Sequence, residues 1–317
     1  VRFWGTDLVA NNAFLTHEQA DAVATRFAKL GINLVRLHHM DAPWSNPNIF
    51  DPSAKDTQTF SADSIDKLDY LLAALKKKGI YVYPDLLVHR KFREGDGVAD
   101  YNHLPEGAKG VAHFSKRVIE LNKKYAKDLL THKNPYTGLS LAEDPFFMGT
   151  ELVNESSIFS GFGQEDFPPA FEAELQKLYE AWGGKGQITR FAYDWGTQKR
   201  KAVRNPENAG QSFRFLSETS EATNQDFQKY LRSLGVKSLF TMSNQGLPIL
   251  ADIRADAKLD HIDTHAYWDH PQVWNVQGGW ENIDKAPFTN KSQLKNPFRE
   301  SLMYALSVEI GMKSTLL

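Results

Sequence analysis

The stretch SADSIDKLDYLLAALKKKGIYVYPDLL, residues 61–87, holds one complete helix followed by one complete strand. Ser61 is a typical N-cap residue, and Gly79 stands where a helix would end. The helix has an apolar face at steps of three and four residues: Ile65, Leu68, Leu71, Leu72 and Leu75. Residues 80–87 form a nearly continuous apolar run, which is typical of a strand buried on both faces of a parallel sheet. The stretch therefore predicts a helix–strand unit of an α/β protein.

The same alternation continues on both sides of this stretch. Strands are predicted at residues 2–9, 32–37, 146–153, 237–242 and 262–267, with the opening of a seventh strand at 314–317. Helices are predicted at residues 111–130, 168–182, 222–234 and 247–257, and an extra helix or helical hairpin at 187–216. Thr16 and Gln19 form a capping box that starts the first helix, and Gly31 ends it.

Alternating strands and helices predict a parallel sheet, either a closed barrel or an open doubly wound sheet. An open sheet of the Rossmann type needs a Gly-rich turn after its first strand, but Gly5 stands alone there and no GxGxxG or GxxxxGK[ST] motif occurs. Polar and aromatic residues cluster instead at the predicted strand ends, as in a (β/α)8 barrel. We therefore predict an α/β fold of the (β/α)8 TIM-barrel type, with residues 1–317 forming one domain.

Composition excludes several classes of function. The 317 residues include 37 Lys and Arg against 39 Asp and Glu, so no basic excess indicates a nucleic-acid partner. The chain contains no cysteine, which excludes a disulfide scaffold and a cysteine nucleophile. Its apolar runs fall far short of the ~20 residues that span a bilayer. We expect a neutral or small ligand, no nucleic-acid or membrane partner, and neither cofactor nor metal.

The strongest chemical signal is Asn154-Glu155, at the end of the predicted strand 146–153. A carboxyl group at the mouth of a barrel, beside an amide and Phe159, would be partly desolvated, which raises its pKa toward that of a general acid. The alternative interpretation of the dipeptide is a solvated loop or a helix N-cap.

Two other strand ends carry polar pairs in which both residues face one side of the strand. These are Arg36 with His38, and His265 with Tyr267. Purely structural roles are the alternative: Arg36 would pair with an interior carboxylate such as Glu151 or Asp85, and His265 would be a hydrogen-bonded core histidine. With the polar residues that follow Leu87, polar clusters stand at four strand ends, which favours a functional site.

Four segments resemble, in order and spacing, the retaining glycoside hydrolases of family 5, which belong to clan A of the (β/α)8 glycosidases. They are RFWGTDL at 2–8, NLVRLHH at 33–39, FFMGTELVNE at 146–155 and DHIDTHAYWDHP at 260–271. The last segment is especially similar to a cellulase-like subgroup of larger proteins, in which the sixth strand continues into a Tyr/Trp-x-His-Pro run. The resemblance covers nearly the whole chain.

This resemblance implies site roles. Glu155 would be the acid/base, Asn154 would bind the sugar 2-hydroxyl, Arg36 would support the nucleophile, and His265 with Tyr267 would form the family's H-x-Y. Substrate contacts would also come from His38, Trp268 and Trp4, and Trp274 is a further candidate for stacking on a sugar ring. The third strand departs from the family's Asp-x-His, because Asp85 is followed by two leucines. His89, two positions further and on the same side, would substitute for the missing histidine only in part.

The family nucleophile is a Glu at the end of strand seven. If residues 303–310 formed that strand, Glu309 would be the nucleophile; if 298–310 is a helix, the nucleophile lies just beyond Leu317. Helical spacing favours the second interpretation. Because six strands and the start of a seventh leave an unpaired edge, we expect an incomplete barrel from a longer polypeptide, with any signal peptide already removed.

The implied reaction is double displacement with retention of configuration, on an oligo- or polysaccharide. The resemblance also implies a secreted or periplasmic protein, with further domains on the same polypeptide. One alternative is a metal-dependent barrel hydrolase using His38, His39, Asp263 and His265, although adjacent residues such as His38 and His39 point opposite ways on a strand. Another alternative is a barrel that binds sugars without cleaving them.

Overall fold

The computed structural model describes residues 2–104, 106–159, 167–194, 199–245, 250–265, 276–277, 282, 284–287 and 315–316. Its strands are β1 (Gly5–Val9), β2 (Leu34–His38), β3 (Tyr81–Leu87), β4 (Gly149–Asn154), β5 (Arg190–Asp194), β6 (Lys199–Arg204), β7 (Leu239–Gln245), β8 (Ile262–Thr264) and β9 (Thr315–Leu316). Its α-helices are α1 (His17–Lys29), α2 (Ala62–Lys77), α3 (Lys116–Leu130), α4 (Pro169–Ala181), α5 (Ala209–Ser233) and α6 (Leu250–Asp256).

Seven strands form one parallel sheet in the order β1-β2-β3-β4-β7-β8-β9. The short β9 pairs with β8, with Thr315 opposite Ile262, so the predicted seventh strand is confirmed. No strand among the described residues joins β9 to β1, and the barrel is therefore incomplete in this part of the chain, as predicted. Because all strands run in parallel, their C-terminal ends lie at one end of the sheet.

Local signals in the sequence give the predicted helix ends. The Thr16 side chain accepts a hydrogen bond from the Gln19 amide at 3.3 Å, and the Gln19 side chain accepts one from the Thr16 amide at 3.0 Å. Ser61 caps α2 in the same way through the amide of Ser64. Gly31 has a φ of 75°, a left-handed conformation that glycine adopts without strain. Both capping predictions are thus confirmed.

Three predicted helices differ from the structure. The helix predicted at 111–130 begins at Lys116, because residues Val111–His113 form a separate 3-10 turn before the N-cap Ser115. The extra helix or helical hairpin predicted at 187–216 is wrong for most of that range: β5 and β6 form an antiparallel hairpin over residues 190–204, and α-helix begins only at Ala209. The pair Asn205-Pro206 separates this hairpin from α5, because a proline disfavours helical backbone in the residue before it. Helix α5 then starts at Ala209, well before the predicted residue 222.

Alternation along β2 separates the core from the site. Val35 and Leu37 are buried in the hydrophobic cluster that packs the sheet against the helices. Arg36 and His38 point to the opposite side, into the barrel, where both contact Asp85. The barrel interior is therefore polar near the C-terminal ends of the strands. Within the described part of the chain, no helix is both long and apolar enough to cross a membrane.

Candidate active site

Arg36 is the centre of the polar network inside the barrel. Its Nε lies 3.1 Å from one oxygen of Asp85, and its Nη2 lies 2.9 Å from Glu151 Oε1. Nη2 is also 3.3 Å from Asn154 Oδ1, and Nη1 is 3.2 Å from His265 Nε2. The planar guanidinium thus joins β2, β3, β4 and the end of β8. A planar fork with five donors suits this arrangement, whereas an ammonium group does not.

Asp85 is the anionic partner of both Arg36 and His38. Its side chain has no exposed surface, and it contacts Nδ1 of His38 as well as the guanidinium. Burial raises the pKa of Asp85, but the charges of Arg36 and His38 outweigh it and hold the pKa below its usual value. Asp85 is therefore ionised, and the Asp85–Arg36 pair neutralises both buried charges.

Glu151 and Asp263 form a second kind of acidic pair. Burial and the nearby charge of Asp85 raise the pKa of Glu151 well above its usual value. Burial also raises the pKa of Asp263, which is hydrogen-bonded to Glu151. A hydrogen bond between two carboxyl groups requires a proton between them. We infer that the pair shares one proton, which lowers the negative charge that Arg36 must balance.

Glu155 directly follows β4, and its side chain is 24% exposed, so it can reach a ligand at the barrel mouth. Its Oε1 lies 2.8 Å from His265 Nδ1. Arg36 can only donate, so His265 Nε2 accepts from Arg36 and the proton on Nδ1 is donated to Glu155. The three side chains form a continuous path from the buried cluster to the mouth.

The predicted rise in the pKa of Glu155 is wrong for the free protein. Burial does raise the pKa, but the hydrogen bond from His265 and the positive charge of Lys109 outweigh burial and lower it. Lys109 comes from the connection between β3 and α3, where no motif in the sequence marked it. Glu155 is therefore a carboxylate until a ligand or another acidic group changes its surroundings.

Two strand ends turn through left-handed backbone. Glu155 has a φ of 47°, and His39, directly after β2, has a φ of 59°. Such values are uncommon for residues other than glycine and are concentrated at functional sites. The turn brings the His39 ring to 3.9 Å from the His38 ring, between centroids. The expectation that His38 and His39 point opposite ways is therefore wrong, because His39 lies beyond the regular strand.

His39 and His89 are uncharged rings beside this network. Burial first, then the positive charge of His38, lowers the pKa of His39 to about 2. Burial first, then the charge of Lys109, lowers the pKa of His89 to about 4. The ring centroids of His39 and His89 are 4.5 Å apart, and both lie close to Trp44, which sequence reasoning missed. His89 thus joins the site as expected from its position after β3.

The predicted residues do not all meet at this site. The structure brings together Arg36, His38, His89, Asn154, Glu155 and His265. Trp4 lies at the other end of the sheet: it precedes β1, and its amide donates to the Asn33 side chain at 2.7 Å, just before β2. Its predicted stacking role is therefore wrong. Tyr267, Trp268, Trp274 and Glu309 lie outside the described residues.

The geometry also bears on the metal-dependent alternative. The described part of the chain contains no group of three or more His, Cys, Asp or Glu side chains arranged to hold a metal ion. His38 is engaged with Asp85, and His265 lies between Arg36 and Glu155. A guanidinium at the centre of these groups would repel a metal cation.

Comparison with known proteins gives similarity in structure only. No family model matches the chain, and no curated protein has a significant match. An endo-1,4-beta-mannanase from Rhizomucor miehei has a TM-score of 0.55 and 16% sequence identity, over 84% of this chain and 67% of that one. GH5_18 from Streptomyces cattleya, solved with GlcNAc, has a TM-score of 0.47 and 14% identity, over 84% of this chain and 51% of its own. The predicted resemblance is thus confirmed for the fold, and the chain has the α/β barrel architecture of the Rhizomucor miehei mannanase.

Proposed function

We propose that this protein is a retaining β-glycoside hydrolase acting on oligo- or polysaccharides, with Glu155 as the acid/base. One observation carries the proposal: a partly exposed carboxylate at the C-terminal end of β4 is held by His265, which Arg36 orients from the barrel interior. A reactive group at a strand end, positioned by a rigid buried network, is how barrel enzymes build their sites. The fold shared with a mannanase supports the same conclusion.

In this mechanism, a second carboxylate attacks the anomeric carbon while Glu155 donates a proton to the leaving oxygen. Glu155 then accepts a proton from water, which hydrolyses the glycosyl-enzyme intermediate. The second carboxylate must lie about 5–5.5 Å from Glu155. We expect it at the C-terminal end of β9. Glu309 precedes β9 in the sequence, so it cannot be the carboxylate at the C-terminal end of that strand.

The second carboxylate would also favour the protonated form of Glu155. A negative charge brought close to Glu155 raises its pKa, which favours the protonated acid needed for the first step. Formation of the covalent intermediate neutralises that charge, so the pKa of Glu155 falls again and the carboxylate can act as a base. The low pKa in the free protein is therefore compatible with the proposal.

Neighbouring side chains have supporting roles. Asn154 Oδ1 accepts from Arg36 at 3.3 Å, so its NH2 group is the part left to donate to a sugar hydroxyl. Arg36 and His265 position the reacting groups, and His38 and His89 would contact hydroxyls. From the resemblance, we add Tyr267 and Trp268 as substrate contacts.

The first substrate to test is β-1,4-mannan, since the Rhizomucor miehei protein is an endo-1,4-beta-mannanase. Glucans and xylans belong in the same panel. We also propose a secreted or periplasmic location, because a polysaccharide substrate lies outside the cytoplasm.

The decisive experiment compares Glu155→Gln with a control, Glu120→Gln, whose carboxylate is on the exposed face of α3. Glu155→Gln should lower turnover of unactivated β-glycosides by about 10²–10⁴-fold, the contribution of a general acid, with binding within about tenfold. Aryl glycosides with good leaving groups need less protonation and should lose less in the first step. NMR of the first product should show retained anomeric configuration.

Hydrolysis near the wild-type rate in Glu155→Gln would remove the acid/base assignment. A wild-type protein that binds oligosaccharides but never cleaves them would favour the binding barrel. Activity that disappears on chelation and returns with added metal would favour the metal-dependent alternative.

A further inference from the structure

Trp44 presents a large aromatic surface to solvent beside the candidate active site. It lies in the connection between β2 and α2, at the same end of the barrel as Glu155, and is 55% exposed. Its ring centroid is 5.1 Å from that of His39 and 6.2 Å from that of His89. His39 in turn lies against His38, a member of the buried network. A continuous set of rings thus leads from the polar cluster to an exposed tryptophan.

The backbone around Trp44 is held by buried polar groups. The Asp41 carboxylate accepts the amides of Val88 at 2.8 Å, His89 at 3.1 Å and Arg90 at 3.1 Å. Asp41 thus ties the start of the β2–α2 connection to the end of β3. The Asn48 side chain adds a hydrogen bond to the Ala42 carbonyl at 2.6 Å. A surface held in this way binds a ligand with little loss of conformational entropy.

A groove of about 850 Å³ begins beside this tryptophan. Pro43 and Ser45, the two chain neighbours of Trp44, line it. Other residues of the β2–α2 connection, the first turn of α2 and the segment from Lys91 to Tyr101 complete the lining. Its volume is within the ~300–1,000 Å³ range of ligand sites. Asparagine and serine side chains and charges of both signs line the groove. This lining suits a neutral ligand rich in hydroxyl groups better than an ion.

We propose that Trp44 is the platform of a sugar-binding subsite next to the catalytic group, and that a glycan chain continues from it into the groove. The inference rests on the proposed function and adds a specificity determinant to it. The apolar C–H face of a pyranose ring packs against the exposed indole, and the uncharged His39 and His89 border the same surface. The enzyme therefore favours chains of several sugar units over single glycosides.

The kinetic test compares Trp44→Ala and Trp44→Phe with Trp4→Ala, because Trp4 is the other strongly exposed tryptophan among the described residues and lies at the opposite end of the barrel. Substrates are β-1,4-linked manno- and gluco-oligosaccharides of increasing length, and an aryl monoglycoside. Trp44→Ala should lower kcat/KM on the longer chains by about tenfold or more, mainly through KM, as expected for loss of a central aromatic contact. Its activity on the aryl monoglycoside should stay within about twofold of wild type. Trp44→Phe should retain part of the lost affinity, and Trp4→Ala should match wild type on every substrate.

A binding measurement separates this subsite from the catalytic proposal. Affinity electrophoresis in soluble glucomannan, xylan and hydroxyethyl cellulose needs no turnover, and thermal unfolding shows whether each variant is folded. Hydrolysis by the wild type with unchanged length dependence in Trp44→Ala overturns the subsite and leaves the function standing. If the wild type binds polysaccharide without hydrolysing it, and folded Trp44→Ala loses this binding, the subsite is supported and the proposed hydrolase function is overturned. If the wild type shows neither binding nor hydrolysis, both the subsite and the proposed function are overturned.

Tyr101→Ala tests the groove itself. Tyr101 lines the groove but makes none of the ring contacts that join Trp44 to the histidines. We expect a loss confined to chains longer than those that first respond to Trp44→Ala. An equal loss on every substrate length would overturn the continuation of the glycan into the groove.

Discussion

Replacing Arg36 by methionine should strongly destabilise the protein. Arg36 faces Asp85, Glu151 and Asp263, which are all buried. Since Glu151 and Asp263 share one proton, the three carboxyl groups carry about two negative charges, and Arg36 supplies the compensating guanidinium. Removing one partner of a buried ion pair costs about 3–5 kcal/mol, because the other charge is left uncompensated. Arg36→Lys keeps the charge but loses at least one charged hydrogen bond, which costs about 1.5–3 kcal/mol.

The cost should depend on pH in a defined direction. The pKa of Asp85 is lowered in the folded wild type, so its stabilising contribution is present above the unfolded pKa of about 3.9 and is lost as the pH falls through the folded pKa. The difference between wild type and Arg36→Met should therefore be largest near pH 7 and shrink below about pH 4.

Urea unfolding of the wild type, Arg36→Met and Arg36→Lys at neutral and acidic pH measures these differences. The control is Arg117→Met, because Arg117 pairs with Glu120 on the surface of α3 at 3.4 Å, and such exposed pairs contribute about 0–1 kcal/mol. An Arg36→Met protein with the wild-type unfolding midpoint at pH 7 would refute the buried-pair argument. A destabilisation that grows at acidic pH would refute the assignment of Asp85 as the ionised partner.

Three further predictions concern the protonation of single groups. Lys109→Met should raise the pKa of Glu155, because it removes a nearby positive charge, so the alkaline limb of the kcat/KM profile should move to higher pH; an unmoved limb contradicts this. Glu151→Gln should lower the infrared absorption of protonated carboxyl groups and cost less than about 1 kcal/mol at pH 7; an unchanged absorption would contradict the shared proton with Asp263. His113 is buried and its pKa is lowered to about 4, so the free energy of unfolding should fall by up to about 3 kcal/mol as the pH falls from about 6.5 to 4. In urea titrations, His113→Gln should make the free energy of unfolding less dependent on pH over this range, and an unchanged slope would contradict the prediction.

The sequence predicted those parts of the fold that depend on short-range order. The caps at Thr16 and Ser61 are local hydrogen bonds, and their donors and acceptors are three residues apart. Alternation along β2 predicted that Arg36 and His38 share a side, since strand geometry repeats every two residues. The same reasoning failed for 187–216, where a hairpin replaces a helix. There the pairing of β5 with β6, rather than the periodicity of either segment, decides the structure.

The missed parts of the site depend on contacts that no periodic pattern encodes. His39 and Glu155 turn through left-handed backbone at strand ends, which only the surrounding fold can impose. Lys109 and Trp44 come from long connections, and their positions follow from hydrogen bonds such as those of Asp41 to the end of β3. These residues lie far apart in the chain and meet through the sheet. Sequence spacing alone therefore identified the strand ends but not the loop residues that surround them.

The order of strands also bears on the position of the second carboxylate in the proposed mechanism. Glu155 follows β4, and the sheet continues through β7 and β8 to β9, so β9 lies three strands away from β4. In a sheet that curves into a barrel, strands three apart face each other across the mouth, and groups at their C-terminal ends point toward a common centre. Arg36 contacts His265, which directly follows β8, and His265 holds Glu155. In the proposed mechanism, the same guanidinium would stabilise an anion on the β9 side. An acidic residue at the end of β9 would thus meet Glu155 across one sugar ring. Its mutation to alanine should abolish turnover and raise activity with added azide, whereas full activity without that carboxylate would refute double displacement.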